Sequence, residues 1–133
     1  MQIDIQTKNL ELSTNLHKRI EKRVRHMYGN LKRDVKKITL RLHNESDADQ
    51  GIVGFCKIQV QTRGLPVIYA EQKSSDLYAA VLAASTRAKL NVSRRINKFN
   101  RLLRELRKLK KQKTKHRTLR LFKHEANLAG DFS

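Results

Sequence analysis

The sequence is poor in the residues that small enzymes and small secreted domains rely on. Cys56 is its one cysteine, so no internal disulfide is available. It lies in an apolar, strand-like run and reads as a small buried hydrophobe rather than a nucleophile. No apolar run approaches the ~20 residues that span a bilayer. The opening MQIDIQT lacks a basic start followed by an apolar block, so no secretory signal is expected. Glycine-rich phosphate loops are absent. The histidines (His17, His26, His43, His116 and His124) follow no zinc-binding pattern. The acidic group Glu45, Asp47 and Asp49 lacks the correctly placed glycine and closing Glu of a calcium loop. An active site needs converging polar groups, and none occurs at a telling spacing. The expectation is a cytoplasmic, non-enzymatic protein with no metal, no cofactor, no small-molecule substrate and no membrane anchor.

Carboxylates are the other scarcity. The chain carries 30 Lys and Arg against 12 Asp and Glu, a net charge of +18 over 133 residues. The imbalance is local. Between Arg94 and Lys123 there are 14 basic residues and one acid, Glu105. Such a field concentrates a polyanion and speeds encounter with it. Nucleic acid is the leading partner class, and an anionic membrane surface is second.

What is present is clear periodicity. Residues 2–6, QIDIQ, alternate apolar and polar, as a strand does. Ser13 then suits a helix N-cap, and Leu16, Ile20, Val24 and Met27 draw an apolar stripe that Tyr28 and Leu31 widen. Gly29-Asn30 offers a stop. KKITLRLH and FCKIQVQT alternate again, with Ile38, Leu40 and Leu42, then Cys56, Ile58 and Val60, facing inward. Between them NESDADQG reads as a loop. After the turn Arg63-Gly64-Leu65-Pro66, VIYAEQ makes a fourth strand whose facing the sequence leaves open. Ser74, Ser75 and Asp76 can cap a second helix. Its stripe runs through Leu77, Val81, Ala84, Ala88, Val92, Ile96, Phe99, Leu103 and Leu106. The pattern dissolves after Leu109, so the expected division is a domain over 1–109 and a basic, disordered tail over 110–133. In that tail Leu119, Leu121 and Phe122 are at most a weak docking element.

The order β-α-β-β-β-α predicts an α+β fold. A strand–helix–strand unit gives a parallel pair with a right-handed crossover, and short loops then add two antiparallel strands. Packing both helices on one face of this four-stranded mixed sheet buries both stripes.

The basic surface is the positive signal. Arg87, Arg94, Arg95, Lys98 and Arg101 lie around the polar side of helix two. Lys22, Arg23 and Arg25 lie on the exposed side of helix one. These eight are the expected RNA-binding residues, Arg as a bidentate phosphate ligand and Lys as a point charge. No recognition-helix, zinc-finger or basic-zipper motif appears, and Phe55 and Tyr69 alone do not make an aromatic base-reading sheet. The surface suits backbone shape in structured RNA rather than sequence.

LELSTNLHKRIEKRV after strand one, and AEQKSSDLYAAVLAASTRAKLNVSRRI later, resemble the ribosome hibernation-promoting factor family, which includes the ribosome-associated inhibitor protein Y. Asp76-Leu77-Tyr78-Ala79-Ala80-Val81 is similar to that family's Asp-Met-Tyr-x-Ala-Ile opening of helix two. Glu71 in strand four and the Ser13-Thr14 helix start also match. The resemblance covers about residues 1–105. It implies a fold similar to double-stranded-RNA-binding domains. It also implies binding to the small ribosomal subunit and its rRNA, in the channel between head and body, over the messenger and the A- and P-site transfer RNA positions. The family's basic contacts fall here at Arg87, Arg94 and Lys98, and near Lys22 and Arg23. Long members carry a second, ribosome-pairing domain, which KKQKTKHRTLRLF does not resemble. Ala88 stands where the family often has Leu, which implies tighter helix–sheet packing. A free monomer that inhibits translation is the expectation. A general RNA-binding protein or chaperone is the alternative, and a membrane- or protein-docking module using helix 90–110 is a third.

Overall fold

A computed structural model describes the backbone of residues 1–131 and the side chains of residues 1–112. Strand β1 (Gln2–Lys8) leads into helix α1 (Thr14–Met27) and a short 3-10 turn (Gly29–Leu31). Strands β2 (Val35–Asp47), β3 (Gly51–Thr62) and β4 (Ile68–Ser74) follow, and then helix α2 (Leu77–Asp131). The sheet order is β1-β2-β3-β4. β1 runs parallel to β2 with Ile3 opposite Ile38, while β2, β3 and β4 are antiparallel, with Leu40 opposite Ile58 and Ile58 opposite Ala70. This is the α+β mixed sheet that the order of elements predicted.

The helix starts are set by their caps. Ser13 Oγ accepts a hydrogen bond from the Leu16 amide at 3.2 Å. Asp76 Oδ1 accepts one from the Tyr78 amide at 3.2 Å. Each oxygen satisfies an amide that the first helical turn leaves without a partner. The two stripes then meet the sheet. Ile20 and Val24 of α1, its C-cap Tyr28, and Ala80, Val81, Ala84, Ala88 and Val92 of α2 are fully buried with Ile38, Leu40, Cys56, Ile58 and Val60. The alanines let α2 approach closely. Tyr28 joins the helices directly: its hydroxyl donates to the Ser85 carbonyl at 2.8 Å.

Three expectations change. NESD is not a loop, because the β2–β3 ladder continues through Asn44, Glu45, Ser46 and Asp47 to its last pair, Asp47 with Gly51. Polarity marks that stretch as solvent-facing, but backbone pairing is indifferent to side-chain polarity. Gly51 closes the turn at φ +77°, where a side chain is disfavoured. Gly54, further along the ladder, meets α2: a Cβ there would lie 2.7 Å from the Leu77 Cα. Second, the open facing of β4 is resolved, with Ile68 and Ala70 inward and Tyr69 outward, 55% exposed. Third, the buried stripe of α2 ends at Ile96. Phe99 and Leu106 are exposed, as are Leu102 and Leu109, and Leu103 is half-buried.

The end of the apolar stripe at Leu109 is not the end of the helix, since Lys110, Lys111 and Gln112 continue it. These are good helix formers, and no proline or glycine interrupts them. Met1–Ile96 forms one compact unit and Asn97–Ser133 a second. Leu119, Leu121 and Phe122 lie outside the described side chains.

Candidate nucleic-acid interface

The two surfaces of the first unit differ in the carboxylates they carry. On the outer sheet face Asp4, Glu45, Asp47 and Glu71 are present, and two of them, Glu45 and Glu71, have basic neighbours. Lys57 Nζ lies 3.7 Å from Glu71, Lys73 Nζ lies 3.4 Å from Glu45, and His43 Nε2 lies 2.8 Å from the other Glu45 oxygen. The hydrogen bond from His43, with Lys73 beside it, holds the Glu45 carboxyl below its ordinary range. The helical layer is poor in carboxylates. α1 and the α2 segment up to Ile96 carry Lys18, Arg19, Lys22, Arg23, Arg25, Arg87, Lys89, Arg94 and Arg95 against one carboxylate, Glu21.

That carboxylate is already engaged. Arg25 lies 3.4 Å from Glu21, and its guanidinium also donates to the Met1 carbonyl at 3.2 Å. Arg25 therefore differs from the other expected RNA ligands, because part of its charge and two of its donors are used within the fold. Among the described residues, no carboxylate lies within ion-pair distance of Lys22, Arg23, Arg87, Arg94 or Arg95. All five are exposed.

The expected residues do not form one cluster. Lys22 and Arg23 line a shallow cleft of about 320 Å³ with Arg19, His26 and Tyr78. The Arg19 guanidinium sits 4.2 Å above the Tyr78 ring, a cation–π contact that fixes its position. Arg94 and Arg95 line a different cleft, of about 470 Å³, with Val67, Ile68, Tyr69 and Asn91. Arg87 is exposed on the same helix and lines neither cleft. Lys98 and Arg101 are exposed residues of the second unit. Sequence reasoning left out Arg19 and His26, although positions 19, 22, 23 and 26 follow the i, i+3, i+4, i+7 spacing of one helical face. Tyr78 was read as a family signature and proves also to be a wall of this cleft.

Burial pushes the Cys56 thiol up to about 12 and raises the Tyr28 phenol as well. Both groups are therefore kept in their neutral forms. Among the described residues, no three His, Cys, Asp or Glu side chains are grouped to hold a metal ion. Among the same residues, no helix is long and apolar enough to cross a membrane.

The fold and the exposed charge define a β-α-β-β-β-α module that presents unneutralised cations on its helical layer. Residues 3–100 match the family described as Sigma 54 modulation protein / S30EA ribosomal protein, and the chain belongs to that family. Solved structures agree on the fold. A ribosomal subunit interface protein from Coxiella burnetii superposes with a TM-score of 0.61 at 18% identity, covering 73% of this chain and 99% of that one. The N-terminal domain of Thermus thermophilus Protein Y does so with a TM-score of 0.57 at 24% identity, covering 71% and 98%. No curated protein matches the chain.

Proposed function

We propose that this protein binds the small ribosomal subunit through ribosomal RNA, occupies the channel used by messenger RNA and by A- and P-site transfer RNA, and so keeps idle ribosomes inactive. It acts by occupancy, without chemistry, as a cytoplasmic monomer that becomes ribosome-bound. The observation that carries this reading is the scarcity of carboxylates on the helical layer: Lys22, Arg23, Arg87, Arg94 and Arg95 are exposed with no carboxylate within ion-pair distance among the described residues. An ordinary solvated surface has no reason to segregate its carboxylates in this way. Membership of a ribosomal-protein family supports the choice of ribosomal RNA as the polyanion.

Sedimentation of purified protein with ribosomal subunits, alongside an initiation assay, tests the proposal. The protein should travel with small subunits and block initiation. Reversing charge at Arg94 and Lys98 together should abolish both effects while leaving the fold intact. Excess of a structured RNA that has no site in that channel should not displace it. Displacement would identify a general RNA binder instead. Because Phe99 and Leu106 are exposed among cations, liposome flotation is run in parallel. Flotation without ribosome association would replace the proposal with membrane docking.

A further inference from the structure

Arg19 and Arg25 show two ways in which a fold can hold an arginine. Both are exposed, and both belong to α1. Arg25 is held by a carboxylate, Glu21 at 3.4 Å, and by the Met1 carbonyl at 3.2 Å. Its charge is offset and its donors are in use. Arg19 is held by a ring: its guanidinium carbon sits over Tyr78, 4.2 Å from the ring centroid. The ring quadrupole attracts a cation without neutralising it. Among the described residues, no carboxylate lies within ion-pair distance of Arg19, and no group accepts a hydrogen bond from it. Asp76, two residues before Tyr78, already accepts a hydrogen bond from the Tyr78 amide. Arg19 is therefore restrained, yet it keeps its full charge and its planar fork of donors.

What such a contact gives to binding is order. A free arginine loses rotamer freedom when a ligand fixes it, and that loss subtracts from affinity. The ring contact exists before and after the ligand arrives, so its own attraction cancels. What remains is the bias toward one rotamer, about 2- to 5-fold for an exposed cation–π contact. Apparent affinity rises with the fraction of molecules already in the competent conformation. Tyr78 is itself well placed to impose this bias. It is half-buried, packs against the hydrophobic core and stands in the first turn of α2. The position of Arg19 is thus set by a different helix from its own.

We propose that Arg19 anchors one backbone phosphate of a bound RNA and that Tyr78 is its positioning residue, holding the guanidinium ready while leaving its charge intact. This rests on the reading of the helical layer as an RNA-binding surface, but not on the ribosome as the source of the RNA. A guanidinium fork matches a phosphate bidentately. Lys22 and Arg23 follow Arg19 by three and four residues, on the same helical face, and line the same cleft. A phosphodiester backbone supplies an anion at every nucleotide, so it can engage all three cations. An acidic protein segment is the competing ligand. The choice falls on RNA because a carboxylate has no such regular neighbours.

The experiment is a double-mutant cycle on the full chain, with affinity for a short labelled RNA duplex of mixed sequence read by fluorescence anisotropy at several salt concentrations. Arg19→Ala should weaken binding and reduce the salt slope by about 0.9, the share of one phosphate. Tyr78→Leu should weaken binding about 2- to 5-fold at an unchanged slope, because the charge is still there. Tyr78→Phe keeps the ring face and should bind like the unaltered protein. In the Arg19→Ala background, Tyr78→Leu should have no further effect. Additive losses would overturn the proposal, since Tyr78 would then act without Arg19. Unchanged affinity for Arg19→Ala would reduce the contact to a structural one. Equal binding of poly-glutamate, with the same dependence on Tyr78, would reassign the site to acidic protein segments. If Tyr78→Leu does not fold, side-chain NMR of the unaltered protein decides. The Arg19 Nε–Hε signal should be more ordered than that of Arg23 and should shift with the duplex; an Arg19 as mobile as Arg23 would overturn the proposal. The duplex contains no ribosomal channel, so the cycle and small-subunit sedimentation fail separately.

Discussion

The division of cations into paired and unpaired sets predicts a salt dependence that can be worked out beforehand. Neutralising Z phosphates of a duplex releases counterions, and the logarithm of the affinity falls with log salt at a slope near −0.9Z. Lys22, Arg23, Arg87, Arg94 and Arg95 are exposed and lack carboxylate partners. If each meets one phosphate, the slope is about −4.5, and raising salt from about 50 to 200 mM weakens binding about 500-fold. Replacing Lys22 and Arg23 with alanine leaves three contacts, a slope of about −2.7 and a loss of about 40-fold over the same range. Arg25→Ala should change the slope very little, since Arg25 already lies 3.4 Å from Glu21 and donates to the Met1 carbonyl. Binding of a labelled protein to small subunits, measured at four or five salt concentrations for the three proteins, gives the slopes directly. A slope that falls equally for Arg25→Ala and for the Lys22/Arg23 pair would refute the reasoning, because it would mean that internal pairing does not decide which cations meet RNA.

Gly54→Ala should destabilise the fold by about 1–3 kcal/mol in urea denaturation, since the new methyl meets the Leu77 backbone at 2.7 Å and α2 must shift. Tyr28→Phe should cost about 1–2 kcal/mol, read from the thermal midpoint, because it removes a buried 2.8 Å hydrogen bond that joins the helices. Cys56, with its pKa pushed up to about 12 by burial, should resist thiol reagents at pH 8, where only about one thiol in ten thousand is ionised, and should react fully in denaturant. The sign of the linked pH effect follows: above about pH 8.5 the unfolded thiol sheds a proton that the folded one keeps, so stability falls as pH rises, and Cys56→Ala should flatten that decline.

Much of the fold could be read from the chain because its signals are local. Leu16, Ile20 and Val24 recur at a helical period, and Ile38, Leu40 and Leu42 at a strand period. Either pattern names the buried face without knowledge of what covers it. Ser13 and Asp76 are also local, since a cap bonds amides two or three residues away. The same locality misleads at Phe99 and Leu106. Their spacing continues the stripe, yet both are exposed, because periodicity records a face and not the presence of a partner. The NESD stretch was misread for a similar reason: a ladder is decided by the opposite strand, here Gly51–Gly54.

The candidate site divides along the same line. The sequence by itself determined the scarcity of carboxylates on both helices and the cations that occupy their outer faces, because composition and helical period need no tertiary information. Only the folded chain decided that Arg25 is spent on Glu21 and Met1, and that Lys22 and Arg23 line one cleft, with Tyr78, while Arg94 and Arg95 line another. Each of those facts pairs residues distant along the chain or depends on which way one side chain leans. Charge is a property of residues, but whether a charge is free to meet a phosphate depends on the neighbours that folding supplies.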